Sequence, residues 1–293
     1  KFFDVVTYTG NNTAGKTVSH NLGSVPGCII VKRTDNPDNW YVYHRGLNVN
    51  GDNAPETDYI RLNLTSEAFD SVVAWNDTAP TSTEFTLGDN DIVNATGGTY
   101  VAYLFAHNDG DGGFGAGDAD IIKCGSYTGN GSTNGPVIDL GFEPQWFMWK
   151  RTDATANWNM IDNMRGITYS DPGDPGLFPN LSSSENPDNN FNLTATGLKC
   201  QTNNSEINAS GGTYIYMAIR RGTKVPESAT EVFGIDTYGS TGDGKAPALR
   251  SPFAVDMYFQ TEINGNDNKR FRQRLTGNKF LYSSANNAQS GAN

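Results

Sequence analysis

The chain repeats itself. Tyr8-Thr9-Gly10-Asn11 returns as Tyr127-Thr128-Gly129-Asn130, and Lys32-Arg33-Thr34-Asp35 returns as Lys150-Arg151-Thr152-Asp153. Asn94-Ala95-Thr96-Gly97-Gly98-Thr99-Tyr100 returns as Asn208-Ala209-Ser210-Gly211-Gly212-Thr213-Tyr214, and Trp40 returns as Trp158. The anchors keep one order at offsets of 114 to 119 residues. A period this long marks a duplicated domain, because solenoid repeats run to roughly 20–50 residues. Each copy is then of ordinary domain size, large enough for its own core.

A third copy begins after the second. Phe233 stands before Tyr238-Gly239 as Phe3 stands before Tyr8 and Ile122 before Tyr127. Arg274-Leu275 and Lys279-Phe280-Leu281 match the middle of a copy only in part, and the chain ends at Asn293. The expected organisation is repeat one over 1–107, a Gly/Asp-rich linker over 108–120, repeat two over 121–222 and an incomplete repeat three over 223–293. A chain that starts at Lys1 and stops mid-repeat reads as a segment of a longer protein.

The apolar runs are short, rich in β-branched and aromatic residues, and bounded by Gly, Asn, Asp and Pro, which is the strand signature. No window carries apolar residues at helical spacing over three turns. Strands are predicted near Phe3–Tyr8, Cys28–Arg33, Trp40–His44, Tyr59–Leu62, Glu84–Leu87 and Tyr100–Ala106. In the second copy they fall near Cys124–Tyr127, Trp146–Lys150, Trp158–Ile161, Gly176–Phe178, Leu198–Gln201 and Tyr214–Ile219. This predicts an all-β chain of tandem antiparallel β-sandwich (jelly-roll-like) domains. The last strand of each copy is apolar on both alternating faces, so it needs cover twice, from its own sandwich and from a neighbouring domain or subunit. A homo-oligomer, with a trimer as its form, follows from the subunit option; cover by the next copy along the chain is the alternative. The glycine pairs Gly97-Gly98 and Gly211-Gly212 read as tight turns into these strands.

Net charge of −11 and a pI near 4.7 argue against nucleic-acid binding, which needs a clustered positive surface; the plain reading of the acidity is solubility. No stretch approaches the roughly 18 apolar residues of a membrane span. Three cysteines leave at least one unpaired; Cys124 and Cys200 both flank second-copy strands and form the one candidate pair. Asp109, Asp111, Asp118 and Asp120 supply carboxylates of the kind Ca²⁺ takes, but their Gly-rich segment reads first as a flexible linker. No nucleophile elbow, phosphate loop or zinc-binding His pair is present, and the many acids sit in turn clusters, so the chain reads as non-enzymatic. The candidate ligand-binding residues are Trp40, Tyr41, Tyr43 and Trp158, whose rings beside Asn and Asp suit sugar stacking; burial of the two tryptophans in the sandwich core is the competing reading.

The repeated motifs, with Leu22-Gly23, Trp40-Tyr41-Val42-Tyr43-His44-Arg45 and Asn76-Asp77-Thr78-Ala79-Pro80, resemble a tandem domain of virion structural proteins from marine tailed bacteriophages. The resemblance covers nearly all of copies one and two. It implies a virion location, other virion proteins as partners, and a role in a tail fibre or adhesin that touches host-surface glycans. A capsid decoration or head-fibre protein is the second role it allows, and a polysaccharide depolymerase the third. It brings no catalytic residues with it.

Overall fold

In the computed structural model, residues 1–107, 121–167, 174–189 and 191–221 are described, together with 228–231, 233–236, 251, 253, 255–261, 269–273, 279–283 and 290–291. The chain is almost wholly β, as its sequence predicts. Its described helices are single turns, and none is long and apolar enough to cross a membrane.

The first copy runs β1 (Phe3–Thr9), β2 (Lys16–Ser19), β3 (Pro26–Arg33), β4 (Tyr41–His44), β5 (Asp58–Arg61), β6 (Phe69–Asp70), α1 (Val72–Trp75), β7 (Glu84–Leu87), α2 (Asp91–Asn94) and β8 (Thr99–Ala106). Its large sheet has the antiparallel order β1-β8-β3-β4-β5-β6, and β2 and β7 pair separately. The second copy runs β9 (Ile122–Thr128), β10 (Val137–Asp139), β11 (Pro144–Arg151), β12 (Trp158–Asp162), β13 (Asp174–Gly176), β14 (Asn186–Asn189), β15 (Phe191–Thr194), β16 (Gly197–Cys200), α3 (Ser205–Asn208) and β17 (Thr213–Arg220). Its large sheet, β12-β11-β17-β9, repeats the order of β4-β3-β8-β1. Here β10, β16 and β15 form the small sheet and β13–β14 a hairpin.

Strand alternation builds two cores. In β3, Ile29 and Val31 face the small sheet with Val18, Phe85 and Leu87, alongside Tyr41, Tyr43, Tyr100 and Leu104. The opposite face of the same sheet, carrying Cys28, Ile30, Val42 and Ile60, joins Ile122, Cys124, Met148, Trp158, Ile215 and Met217 of the second copy in one buried cluster. The large sheets therefore meet face to face. This is the cover the doubly apolar strands require: Tyr103 and Phe105 of β8 and Ile219 of β17 pack against the shared cluster, while Tyr100 and Tyr214 point into their own sandwiches. The cover comes from the other copy, so the apolar faces of β8 and β17 do not by themselves call for a second chain. The described residues of both copies fall in one compact unit, and those from 228 onward in another.

In the second unit, β18 (Met257–Gln260), β19 (Arg270–Gln273), β20 (Lys279–Tyr282) and β21 (Ser290–Gly291) form a sequential antiparallel meander. Arg270 and Arg272 lie over the Phe280 ring, at 5.4 and 5.0 Å from its centroid. In copies one and two the first strand pairs with the last. Among the described residues Phe233–Asp236 forms no such strand.

Candidate functional site

The repeated motifs converge at one end of each large sheet. Gly10 N–H donates to the Gly98 carbonyl at 2.8 Å, and Gly129 N–H to that of Gly212 at 2.9 Å. Thr34 N–H donates to the Thr99 carbonyl, and Thr152 N–H to that of Thr213. Arg33 grips Asp35 at 2.9 Å and Arg151 grips Asp153 at 2.8 Å. Tyr8 stacks on Tyr100 at 4.9 Å, and Tyr127 on Tyr214 at 4.7 Å. Each second tyrosine is fixed at its hydroxyl: Tyr100 donates to the Asp91 carbonyl and accepts from Ala95 N–H, and Tyr214 does the same with Ser205 and Ala209. A Cβ on Gly10 or Gly129 would lie 2.2 Å from the carbonyl oxygen of Ala95 or Ala209, so glycine is required at that crossing. Gly97 and Gly211 hold φ near +73° and +74°, the positive φ the tight turn asked for. The residues that identify the duplication thus clasp the strand ends together.

The four aromatic candidates are placed differently from the sequence expectation. Tyr41 and Tyr43 are buried in the first sandwich, Tyr41 stacked on Tyr59 at 4.4 Å and Tyr43 edge-on to Trp75. Their rings are enclosed by protein and offer no face to a sugar. Trp158 is buried too, but between the copies rather than inside a sandwich, its indole N–H donating to the Arg61 carbonyl of the first copy at 2.9 Å. Trp40 borders the same layer, half-buried and stacked on Tyr103. Both tryptophans stand on the outer face of the large sheet because they precede Tyr41 and Asn159, which point inward. Asp109, Asp111, Asp118 and Asp120 lie outside the described residues, and among the described residues no group of three or more His, Cys, Asp or Glu could hold a metal ion. Cys28, Cys124 and Cys200 are free and buried. Cys124 faces the layer between the copies, whereas Cys200 abuts Gly135 in the small-sheet half of its own sandwich, so the candidate pair does not form.

Besides the Trp158 indole, the side chains of His44 and Lys150 cross the layer between copies. His44 accepts the Gly46 N–H at Nδ1 (3.1 Å), which leaves its proton on Nε2 for the Tyr216 carbonyl (3.0 Å). Lys150 Nζ donates to the Arg151 carbonyl at 2.8 Å and the Thr65 carbonyl at 3.3 Å; burial draws this ammonium down to about 8. The second copy has Asp162 at the place of His44, so this crossing belongs to one copy only. Burial also holds the His44 imidazole down to about 3, far below its ordinary value. Because the unfolded chain takes up that proton first, His44 contributes fully to stability above about pH 6.5. That contribution falls by about 1.4 kcal/mol per pH unit as the pH drops below it. Urea unfolding at pH 5 is expected to show about 2 kcal/mol less stability from this group than at pH 7. His44→Gln should flatten that dependence; an unchanged slope in the variant would contradict the assignment.

An open cleft of mixed chemistry lies in the second copy, lined by Asn159, Gly176, Phe178, Asn186, Asn204 and Glu206. The large sheet supplies Asn159 from β12, the hairpin supplies Gly176 and Asn186, and the turn of α3 supplies Glu206. Asn157 orients Glu206, donating to Oε1 from its side-chain amide at 2.9 Å and from its backbone at 3.3 Å. Asn159, nearly buried, is oriented by donating to the Asn157 carbonyl at 3.0 Å. The cleft offers amide donors and acceptors, one fixed carboxylate, one aromatic ring and the aliphatic side chain of Ile207. Glycoside hydrolysis of the usual kind needs two carboxyl groups across the scissile bond, and these lining residues include one. The sequence reading missed this cleft, because a Gly and several Asn read as turn residues; the available signal was the difference between the copies at matched positions.

A family described as a domain of unknown function, DUF7483, matches residues 2–221, taking both copies as one stretch. No curated protein and no solved structure matches the chain.

Proposed function

We propose that this chain, which belongs to the DUF7483 family, is a non-enzymatic structural component of a phage virion, part of a tail fibre or adhesin that contacts host-surface glycans. The observation that carries the reading is the use of the duplication. Two sandwiches share a buried layer, and their repeated residues are spent on clasping strand ends. Such a unit is stiff and presents loops on a fixed frame, which suits an appendage. The resemblance of its motifs to virion proteins of marine tailed phages supports a location on the virion. Other virion proteins and further copies of the chain, with a trimer as the expected form, are the proposed partners. Assembly would use sheet edges and loops, since both faces of β8 and β17 are already covered.

Immunogold labelling of virions with antibody to this chain is expected to decorate the tail or its fibres. Label confined to the capsid interior, or absent from particles, would rule the reading out. Label on the outer capsid would favour a decoration protein instead.

A further inference from the structure

Matched positions in the two copies carry opposite chemistry at one place. The strand pairing fixes the match. Val42 pairs with Ile60 in the first copy, and Met160 bridges Leu177 in the second, so Tyr59 corresponds to Gly176 and Arg61 to Phe178. Tyr59 pairs with Phe69 and Gly176 with Asn186, so Phe69 corresponds to Asn186. The tryptophan anchors make Tyr41 the counterpart of Asn159, and the clasp tyrosines make Ile92 the counterpart of Glu206.

In the first copy this place is full. Tyr41 stacks on Tyr59 at 4.4 Å, Tyr59 on Phe69 at 5.5 Å, and the Arg61 guanidinium lies over Phe69 at 4.8 Å. In the second copy the three rings are replaced by Asn159, Gly176 and Asn186, and the place is an open cleft. A duplicated core that had merely drifted would tend to keep apolar volume, because emptying packed space is destabilising. Here Trp149, paired with Asn159 where Val31 pairs with Tyr41, takes up part of that volume, yet a cleft stays open, lined by amides, a carboxylate, Phe178 and Ile207.

We infer that this cleft is a binding subsite for a neutral, polyhydroxylated ring, a pyranose unit of a surface glycan; the inference rests on the glycan-contacting reading above. Sugar hydroxyls both donate and accept, and so do the side-chain amides of Asn159 and Asn186. The Glu206 carboxylate, held by Asn157, accepts a charge-assisted hydrogen bond from a hydroxyl. Phe178 offers an apolar surface to the C–H face of the ring. No lysine or arginine lines the cleft among the described residues; the Lys150 ammonium, on which Glu206 acts, is buried behind it and turned to backbone carbonyls, so a sulfated, phosphorylated or carboxylated sugar would meet the Glu206 carboxylate with no cation in the lining to pair with.

The test is a glycan array carrying neutral and anionic oligosaccharides, probed with the full chain, followed by titration with the strongest neutral hit. Wild-type protein is expected to bind neutral glycans. Glu206→Gln, which keeps the shape, should weaken binding about tenfold or more, the scale of one charge-assisted hydrogen bond. Asn159→Tyr and Asn186→Phe, which restore first-copy residues, should abolish it. The circular-dichroism melt of Glu206→Gln should match wild type, which keeps the test valid should a refilling variant fail to fold. Neutral-glycan binding that none of the three variants alters, or binding to anionic glycans alone, overturns the subsite while leaving glycan contact standing. Binding to no glycan overturns the adhesin reading and the subsite together.

Discussion

Trp158→Ala is expected to lower the unfolding free energy of the two-copy unit by about 4 kcal/mol, the range for removing a fully buried large aromatic side chain. In a unit of this size that is a drop of roughly 8–16 °C in Tm. Trp158 is 2% exposed, and its side chain fills the layer between the large sheets beside Cys28, Ile30, Met148 and Met217. Alanine leaves a cavity that neither β-sheet can close, because both are held by their own strand ladders and by the small sheets behind them. The indole N–H also satisfies the Arg61 carbonyl, which alanine cannot. The matched variant Trp40→Ala is the internal control. Trp40 is only half-buried and stacks loosely on Tyr103, 6.4 Å between ring centroids, so its loss should cost about half as much. Chemical denaturation of both variants checks this. Equal losses, or a Trp158→Ala loss below about 1 kcal/mol, would mean that the copies hold their structure without the shared layer.

That layer marks the limit of what the sequence alone could tell. The period-two pattern of Tyr100–Ala106 and Tyr214–Ile219, apolar at successive positions, demanded cover on both faces, and both faces are covered. Periodicity says which side chains leave water, not what they meet, so another subunit and the neighbouring copy were equally good readings. The long strands were legible for the same reason: Pro26–Arg33 and Pro144–Arg151 each carry four consecutive apolar residues, Cys28-Ile29-Ile30-Val31 and Trp146-Phe147-Met148-Trp149, and are buried over most of their length. The short ones were not. Lys16–Ser19 and Asn186–Asn189 are four residues long and mostly polar, with the local chemistry of turns, and Val137–Asp139 has only three residues, too few to show a period. They are strands because partners such as Glu84–Leu87 and Gly197–Cys200 offer ladders to them. The site was hidden in a related way. Aromatic residues near polar turns drew attention to Tyr41 and Tyr43, yet an aromatic ring on an inward strand position is core. The cleft is written instead as a loss of aromatics between Tyr41 and Asn159, Tyr59 and Gly176, and Phe69 and Asn186, a signal that exists only once the copies are matched strand by strand.

Asn94→Ala and Asn208→Ala are each expected to cost about 3 kcal/mol, and each is expected to do so in a single transition that involves both copies. The two side chains are fully buried at equivalent places. Asn94 donates to the Thr13 and Gly88 carbonyls at 3.0 and 2.7 Å and accepts from Asn11 N–H at 2.9 Å. Asn208 donates to the Ser132 and Thr202 carbonyls, both at 2.8 Å, and accepts from Asn130 N–H at 2.7 Å. Alanine strands these backbone groups inside the protein, and an unsatisfied buried group costs about 1–3 kcal/mol. Each asparagine holds the first strand of its copy to the turn before the last, so its loss loosens one sandwich directly. It cannot loosen that sandwich alone. Opening β8 and its neighbours would expose Ile215, Met217 and Trp158 of the other copy, and opening β17 would expose Cys28, Ile30 and Val42. Fully exposing such side chains costs about 1.5–3 kcal/mol each, so a state with one copy folded and the other unfolded bears that penalty along the whole shared face. The two substitutions are far enough apart to act independently on the folded state, so the double variant should lose roughly the sum, about 6 kcal/mol. Thermal unfolding of residues 1–221 followed by tryptophan fluorescence and by circular dichroism should give coincident curves for all three proteins. Two resolved transitions, with Asn94→Ala moving only one and Asn208→Ala only the other, would show two independent domains and overturn the shared core.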